Sequence, residues 1–280
     1  MPSFPLRLHW VAAQVASSLM EDIGAGDLSA QLVPAKKTKA YVITREACTV
    51  CGQPWFNLTF SQIDPLTQIE WHVYEGQTVP ANTLLCTLTG LSAALLTAER
   101  TALNFLQTLS GTATLVRNYV EAISGTDTQI VDTRKTLPGL RHAQKYAVWI
   151  AGGTNHRHGL YDGILLKENH ILAAGGITSA LNKAFAVATH ETFIQIEVET
   201  LAQLEEALKA GAKWVLLDNF DLAGLREAVQ QNSGRAILEA SGNVSFSTVR
   251  AVAETGVNRI SIGSLTKHVH AIDLSMRFQE

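Results

Sequence analysis

Two rhythms divide the chain. In the first third, short runs of β-branched and aromatic residues are separated by polar turns; from about residue 128, continuous apolar runs alternate with segments of helical period. Residues 40–44, 69–74 and 83–88 predict strands, with Glu75-Gly-Gln77 as a turn between the last two. Leu8 to Met20 reads as an amphipathic helix rather than part of a signal peptide, since Met1 to Met20 has no clear cleavage site. Ser92 to Leu109 carries the strongest helical signal: Leu95, Leu96, Leu103, Leu106 and Leu109 recur at three-to-four spacing, and Arg100, Asn104 and Thr108 form a polar stripe. Gly111 predicts a break, with a second helix from Thr112 to Ile123.

The later runs are 129–131, 163–166, 193–196, 214–217, 236–238 and 259–262, with helices at Leu201 to Ala210, Leu222 to Gln231 and Ser247 to Thr255. Such alternation predicts a parallel sheet covered by helices. The runs finish on Asp132, Lys167, Glu197, Asp218, Ser241 and Gly263. Polar residues at strand C-termini are where α/β barrels place their chemistry. Six such units, rather than eight, predict a shortened barrel.

Composition changes this picture in two places. The formal net charge of −3 argues against a protein that coats nucleic acid. Residues 130–170 nevertheless hold six Lys/Arg and four His against three acids, so the cations are gathered in one stretch. No apolar run approaches the roughly 18 residues of a membrane span. The three cysteines are too few for a disulfide framework and point to the cytosol; Cys48 and Cys51 supply only half a zinc site and read as structural thiols.

The strand ends supply candidate chemistry. Arg134 and Lys135 follow the first barrel strand and suit phosphate or carboxylate oxygens, Arg bidentately and Lys as a point charge. Gly152-Gly-Thr-Asn-His-Arg157 is a glycine turn bringing His156 and Arg157, and Lys167 enters the barrel mouth. Glu197 and Asp218 have three readings: ion pairs with the cations, hydrogen bonds to sugar hydroxyls, or Mg²⁺ held through water and substrate phosphates. Ser241-Gly242-Asn243 and Gly263-Ser264 stand where the last strands of such barrels cradle phosphate.

Taken in order, Glu21-Asp-Ile-Gly-Ala-Gly-Asp27, Glu99-Arg-Thr-Ala-Leu-Asn-Phe105, Asp132-Thr-Arg-Lys-Thr136, Pro138-Gly-Leu-Arg141, Lys145-Tyr-Ala-Val148, Asn155-His-Arg157, Lys167-Glu-Asn-His-Ile171, Glu197-Val-Glu199, Leu217-Asp-Asn219 and Glu239-Ala-Ser-Gly-Asn243 resemble the quinolinate phosphoribosyltransferase family. The resemblance implies an N-terminal α/β sandwich domain (1–109, with 267–280 packing back on it) and an incomplete α/β barrel (110–266). It implies quinolinate and 5-phosphoribosyl 1-pyrophosphate as substrates, Mg²⁺ as cofactor, a cytoplasmic location, and a homodimer in which Arg100 reaches the neighbour's site. Carried over by position, Thr133, Arg134, Lys135, His156, Arg157 and Lys167 bind carboxylates and phosphates. Glu197 and Asp218 face the ribose and Mg²⁺, directly or through water. Ser241, Gly242, Asn243, Ile262, Gly263 and Ser264 cradle the 5′-phosphate, and Lys135, Lys167, Glu197 and Asp218 carry the catalytic roles. Ala151 stands where the family often has the first of three glycines, and a small local adjustment is expected there. Two alternatives remain: a related transferase acting on another acid, and a non-catalytic anion- or nucleic-acid-binding barrel, against which the carboxylates Glu197 and Asp218 argue.

Overall fold

The computed structural model describes residues 6–34 and 36–279; Met1 to Pro5, the start of the segment tested for a signal peptide, lie outside the described residues. The chain runs α1 (Leu8–Ile23), β1 (Lys37–Thr44), β2 (Cys48–Thr49), α2 (Gln53–Ile63), β3 (Gln68–Trp71), β4 (Thr78–Val79), β5 (Leu84–Leu91) and α3 (Ser92–Ala122). It continues through β6 (Gln129–Val131), α4 (Arg141–Ile150), β7 (Gly163–Leu166), α5 (Glu168–Ala174), α6 (Ile177–Val187), β8 (Phe193–Val198) and α7 (Leu201–Lys209). The last elements are β9 (Trp214–Asp218), α8 (Leu222–Asn232), β10 (Ile237–Ser241), α9 (Val249–Ala253), β11 (Arg259–Ser261), α10 (Ser264–Lys267) and β12 (Leu274–Phe278). Two units emerge: Met1–Arg117 with Thr136–Gly152 and Leu265–Glu280, and Asn118–Lys135 with Gly153–Ser264.

In the first unit, an antiparallel sheet of order β12-β1-β5-β3 packs on the apolar stripe of α3. Leu95, Leu103 and Leu106 are buried together with Phe56, Phe60 and Leu88, and each such side chain contributes roughly 1.5–3 kcal/mol. The predicted turn at Glu75 caps α2: its carboxylate accepts from the backbone N–H groups of Gly52 (2.7 Å) and Gln53 (3.1 Å). All three cysteines are buried free thiols, and burial pushes each one up from its ordinary value.

The predicted break at Gly111 does not occur. α3 is one helix of 31 residues. A glycine inside a helix is unfavourable by about 1 kcal/mol relative to alanine, but a Cβ at Gly111 would overlap the carbonyl oxygen of His270. The missing side chain admits the C-terminal segment, whose Ile272 N–H donates to the carbonyl of Gln107 at 3.1 Å. Ala151 is the residue after α4 with φ −80°, a conformation open to alanine, and Gly152 takes the left-handed value of 90°.

The second unit is a parallel sheet of six strands in the order β6-β11-β10-β9-β8-β7. The order closes most of a barrel, with β6 and β7 as the two edges. Thr154 runs beside the outer edge of β6, bridging Val131 in parallel. The expected incomplete barrel is therefore present, and every strand delivers its C-terminal residue to the same rim. Among the described residues no helix is long and apolar enough to cross a membrane.

Candidate active site

The rim of the second unit collects the charged residues read from the strand ends. After β6, Asp132 turns inward and is fully buried; its carboxylate accepts from His156 N (2.8 Å) and Asn155 Nδ2 (2.7 Å), tying the two loops together. Thr133 Oγ1 accepts from Lys135 N at 3.0 Å, which folds the 133–135 turn back on itself. Lys135 lies across Gly263: a Cβ there would come within 2.9 Å of Lys135 Cδ. The loops after β6 and β11 are thus brought into contact, with Ile262 N donating to the Val131 carbonyl at 3.0 Å.

Burial and the neighbouring Arg134 both push the Arg157 guanidinium below its ordinary value, while Asp162 acts in the other direction. Arg134 Nε is buried without a hydrogen-bond partner among the described residues. Arg157 Nη1 donates to the Gly163 carbonyl at 2.8 Å, which fixes the side chain beside β7. A buried guanidinium nitrogen with an unused donor, as in Arg134, is chemistry that suits an anion.

Across the rim stand the carboxylates. Lys167 Nζ is 3.7 Å from Glu197 Oε2; the lysine is about half exposed and Glu197 mostly shielded. Burial raises the Glu197 carboxyl, Lys167 opposes this, and Asp218 and Glu199 reinforce it. Asp218 ends β9, and Asn219 Nδ2 donates to its Oδ2 at 2.8 Å. Asn219 adopts a left-handed φ of 57° and its N–H donates to the Ser241 carbonyl at 2.9 Å. Gly242 (φ 95°) and Asn243 (φ 49°) also lie in the left-handed region. A cavity of about 330 Å³ opens beside Glu197, lined in part by Ile171, Leu172 and Glu199.

Arg100 is exposed on α3, in the first unit. His156 belongs to the second unit, but its ring nitrogens meet Gln195 and the Arg157 amide. Sequence reading overlooked Gln195, Glu239 and Arg259, which are buried polar groups within the barrel strands. The available signal was a polar residue inside an apolar run, as in Phe193-Ile-Gln-Ile196.

Fold and site together define an α/β-barrel protein whose strand ends are arranged for anionic ligands. Residues 27–110 match the description "Quinolinate phosphoribosyl transferase, N-terminal domain", and residues 112–277 match "Quinolinate phosphoribosyl transferase, C-terminal domain". The chain belongs to the quinolinate phosphoribosyltransferase family. It is 40% identical over 258 residues to a probable nicotinate-nucleotide pyrophosphorylase (carboxylating) of Bacillus subtilis (strain 168), covering 92% of this chain and 89% of that one. It is 35% identical over 274 residues to quinolinate phosphoribosyltransferase (decarboxylating) 1b of Nicotiana tabacum, covering 91% and 78%. The solved structure of the nicotinate-nucleotide pyrophosphorylase from Francisella tularensis superposes with a TM-score of 0.95 at 46% identity, covering 98% of each chain.

Proposed function

We propose that this chain converts quinolinate and 5-phosphoribosyl 1-pyrophosphate to nicotinate mononucleotide, pyrophosphate and CO₂, a step of de novo NAD biosynthesis. The observation that supports the reading is the pairing of charge at the barrel rim, where Lys167 Nζ, just after β7, stands 3.7 Å from Glu197 Oε2, with Lys135 of the β6 loop lying against Gly263. Such a rim accommodates two polyanions meeting around one sugar. The pyridine nitrogen bonds to C1 of the ribose as the C1–oxygen bond to pyrophosphate breaks, and the electron pair leaves with pyrophosphate. The bond to the carboxylate beside the nitrogen then breaks, CO₂ departs, and that ring carbon takes a proton.

In this reading Thr133, Arg134, Lys135 and Arg157 hold carboxylate and phosphate oxygens. Lys135 and Lys167 stabilise the charge that gathers on the leaving group, and Glu197 and Asp218 face the oxocarbenium-like sugar. The amides of Ser241 to Asn243 and of Ile262 to Ser264 receive the 5′-phosphate. Among the described residues no group of three or more His, Cys, Asp or Glu gathers to hold a metal ion. The pair Glu197 and Asp218 suits Mg²⁺, which takes one or two carboxylates and completes its shell with water and substrate phosphates. When bound, the ion neutralises charge on the pyrophosphate. The reading also includes a cytoplasmic homodimer in which Arg100 of each subunit enters the other's site.

The test is a spectrophotometric assay of quinolinate consumption with the pyrophosphate donor and Mg²⁺. Turnover is expected, with loss of activity on chelation and a decrease of about 100-fold or more in Arg134→Ala and Lys167→Ala. Reaction of nicotinate in place of quinolinate would overturn the substrate assignment, and near-normal rates in either variant would remove that residue from its role.

A further inference from the structure

The barrel interior carries polar groups that the reaction above does not use. Gln195 on β8 and Glu239 on β10 are fully buried, Arg259 at the start of β11 is nearly so, and His156 is 8% exposed. Barrel interiors are ordinarily filled by branched apolar side chains, so these four have a role that packing alone does not supply.

Hydrogen bonding determines the state of the His156 ring. The Arg157 N–H donates to His156 Nδ1 at 2.7 Å. A ring nitrogen that accepts carries no proton, so the proton of the neutral ring sits on Nε2. Nε2 lies 2.7 Å from Gln195 Oε1, a donor meeting an acceptor. Glu239 Oε1 is 3.8 Å from the same nitrogen, outside hydrogen-bond reach, and its other oxygen faces Arg259 Nε at 3.4 Å. An imidazolium would direct a second N–H at the Arg157 amide and break that bond. Both ring nitrogens are therefore committed to the protein, and Phe193 closes the ring edge-on at 5.5 Å.

We propose that Gln195 is a positioning residue: by holding His156 in its Nε2–H tautomer it fixes the Arg157 amide, and with it the place from which the Arg157 guanidinium meets the substrate anion. His156 is then a strut between the barrel interior and the arginine. The hold acts on the backbone of a residue whose guanidinium is itself bonded to the Gly163 carbonyl at 2.8 Å. Asp132 supplies the second hold, through His156 N and Asn155 Nδ2. This assignment rests on Arg157 being an anion-binding residue of the proposed reaction.

The test has two arms on the full chain. Histidine labelled with ¹⁵N, observed by NMR at pH 7.5 without substrate, is expected to give for His156 a neutral ring protonated on Nε2; the signal is assigned by its loss in His156→Asn. An imidazolium, or a ring protonated on Nδ1, overturns the proposal, and this arm requires no variant at position 195 to fold. In Gln195→Leu the KM for quinolinate is expected to rise about tenfold, the scale of one lost hydrogen bond, while kcat falls less than about threefold. An unchanged KM overturns the proposal. If the wild-type chain turns over no quinolinate but shows the expected tautomer, the proposed function fails and the strut stands; turnover with a different tautomer sinks the strut alone.

Discussion

Gly242→Ala tests the rim geometry with one added methyl group. Gly242 has φ 95°, so an L-residue there adopts the left-handed region at about 1–2 kcal/mol. The new Cβ would also overlap Asn219 Oδ1 and stand 3.0 Å from Asn219 N. Asn219 is not the loose end of a flexible side chain: its N–H is bonded to the Ser241 carbonyl and its Nδ2 to Asp218. Overpacking against a held neighbour costs about 1–3 kcal/mol, giving a total of about 2–5 kcal/mol. Gly211→Ala is the control. It has φ 91° and no atom within 4 Å of an added Cβ, so it carries the backbone cost of about 1–2 kcal/mol alone.

Urea unfolding of the wild type and both variants reads the difference, expected at about 1–3 kcal/mol. Activity reads the consequence at the site. If Asn219 yields, Asp218 loses the amide that orients it, and kcat/KM of Gly242→Ala is expected to fall at least about tenfold, with Gly211→Ala within about twofold of wild type. Equal destabilisation of the two variants, or wild-type kcat/KM in Gly242→Ala, would refute the argument that Asn219 is a rigid neighbour.

Three further expectations concern stability, pH and assembly. Gly111→Ala improves helix propensity yet collides with the His270 carbonyl, so a net loss of about 1–3 kcal/mol is expected in thermal unfolding; a gain in Tm contradicts the reading of the close approach. Burial and the charges of Arg141, Arg7 and Lys145 hold the His142 ring below its usual value of 6.5, so it stabilises the fold above that pH and the contribution is lost on acidification. His142→Phe, which keeps an aromatic ring against Trp10, is expected to show a smaller drop in urea midpoint than wild type between pH 7 and pH 5, and equal slopes would dismiss the assignment. For the proposed exchange of Arg100, mixing inactive Arg100→Ala with inactive Lys167→Ala subunits restores activity to one site in each mixed dimer; no recovery after verified exchange excludes donation between subunits.

What was legible in the sequence follows from how far each signal reaches. The strand ends were legible because a parallel strand buried on both faces is a continuous apolar run, so its first polar residue marks the rim; Asp132, Lys167 and Asp218 follow or end their strands accordingly. Glu197 shows the limit of that rule, since β8 continues to Val198 and the carboxylate stands within the strand. The same rule concealed Gln195 and Glu239. A polar residue within a run reads as its end or as an accident, and only the closed sheet reveals that its side chain faces other strands' polar groups. Gly111 was misread for a different reason. Propensity describes the local chain, whereas the cause of that glycine is a carbonyl 159 positions further on, His270, which no periodicity encodes. The interior network brings these two failures together. His156 was legible as a polar residue after a glycine turn, and its chemistry suggested a ligand for the substrate. Its ring nitrogens meet Gln195, 39 residues away, and the amide of the next residue. Residue type thus identified the segment that matters, while the proposed tautomer required the hydrogen bonds on both ring nitrogens.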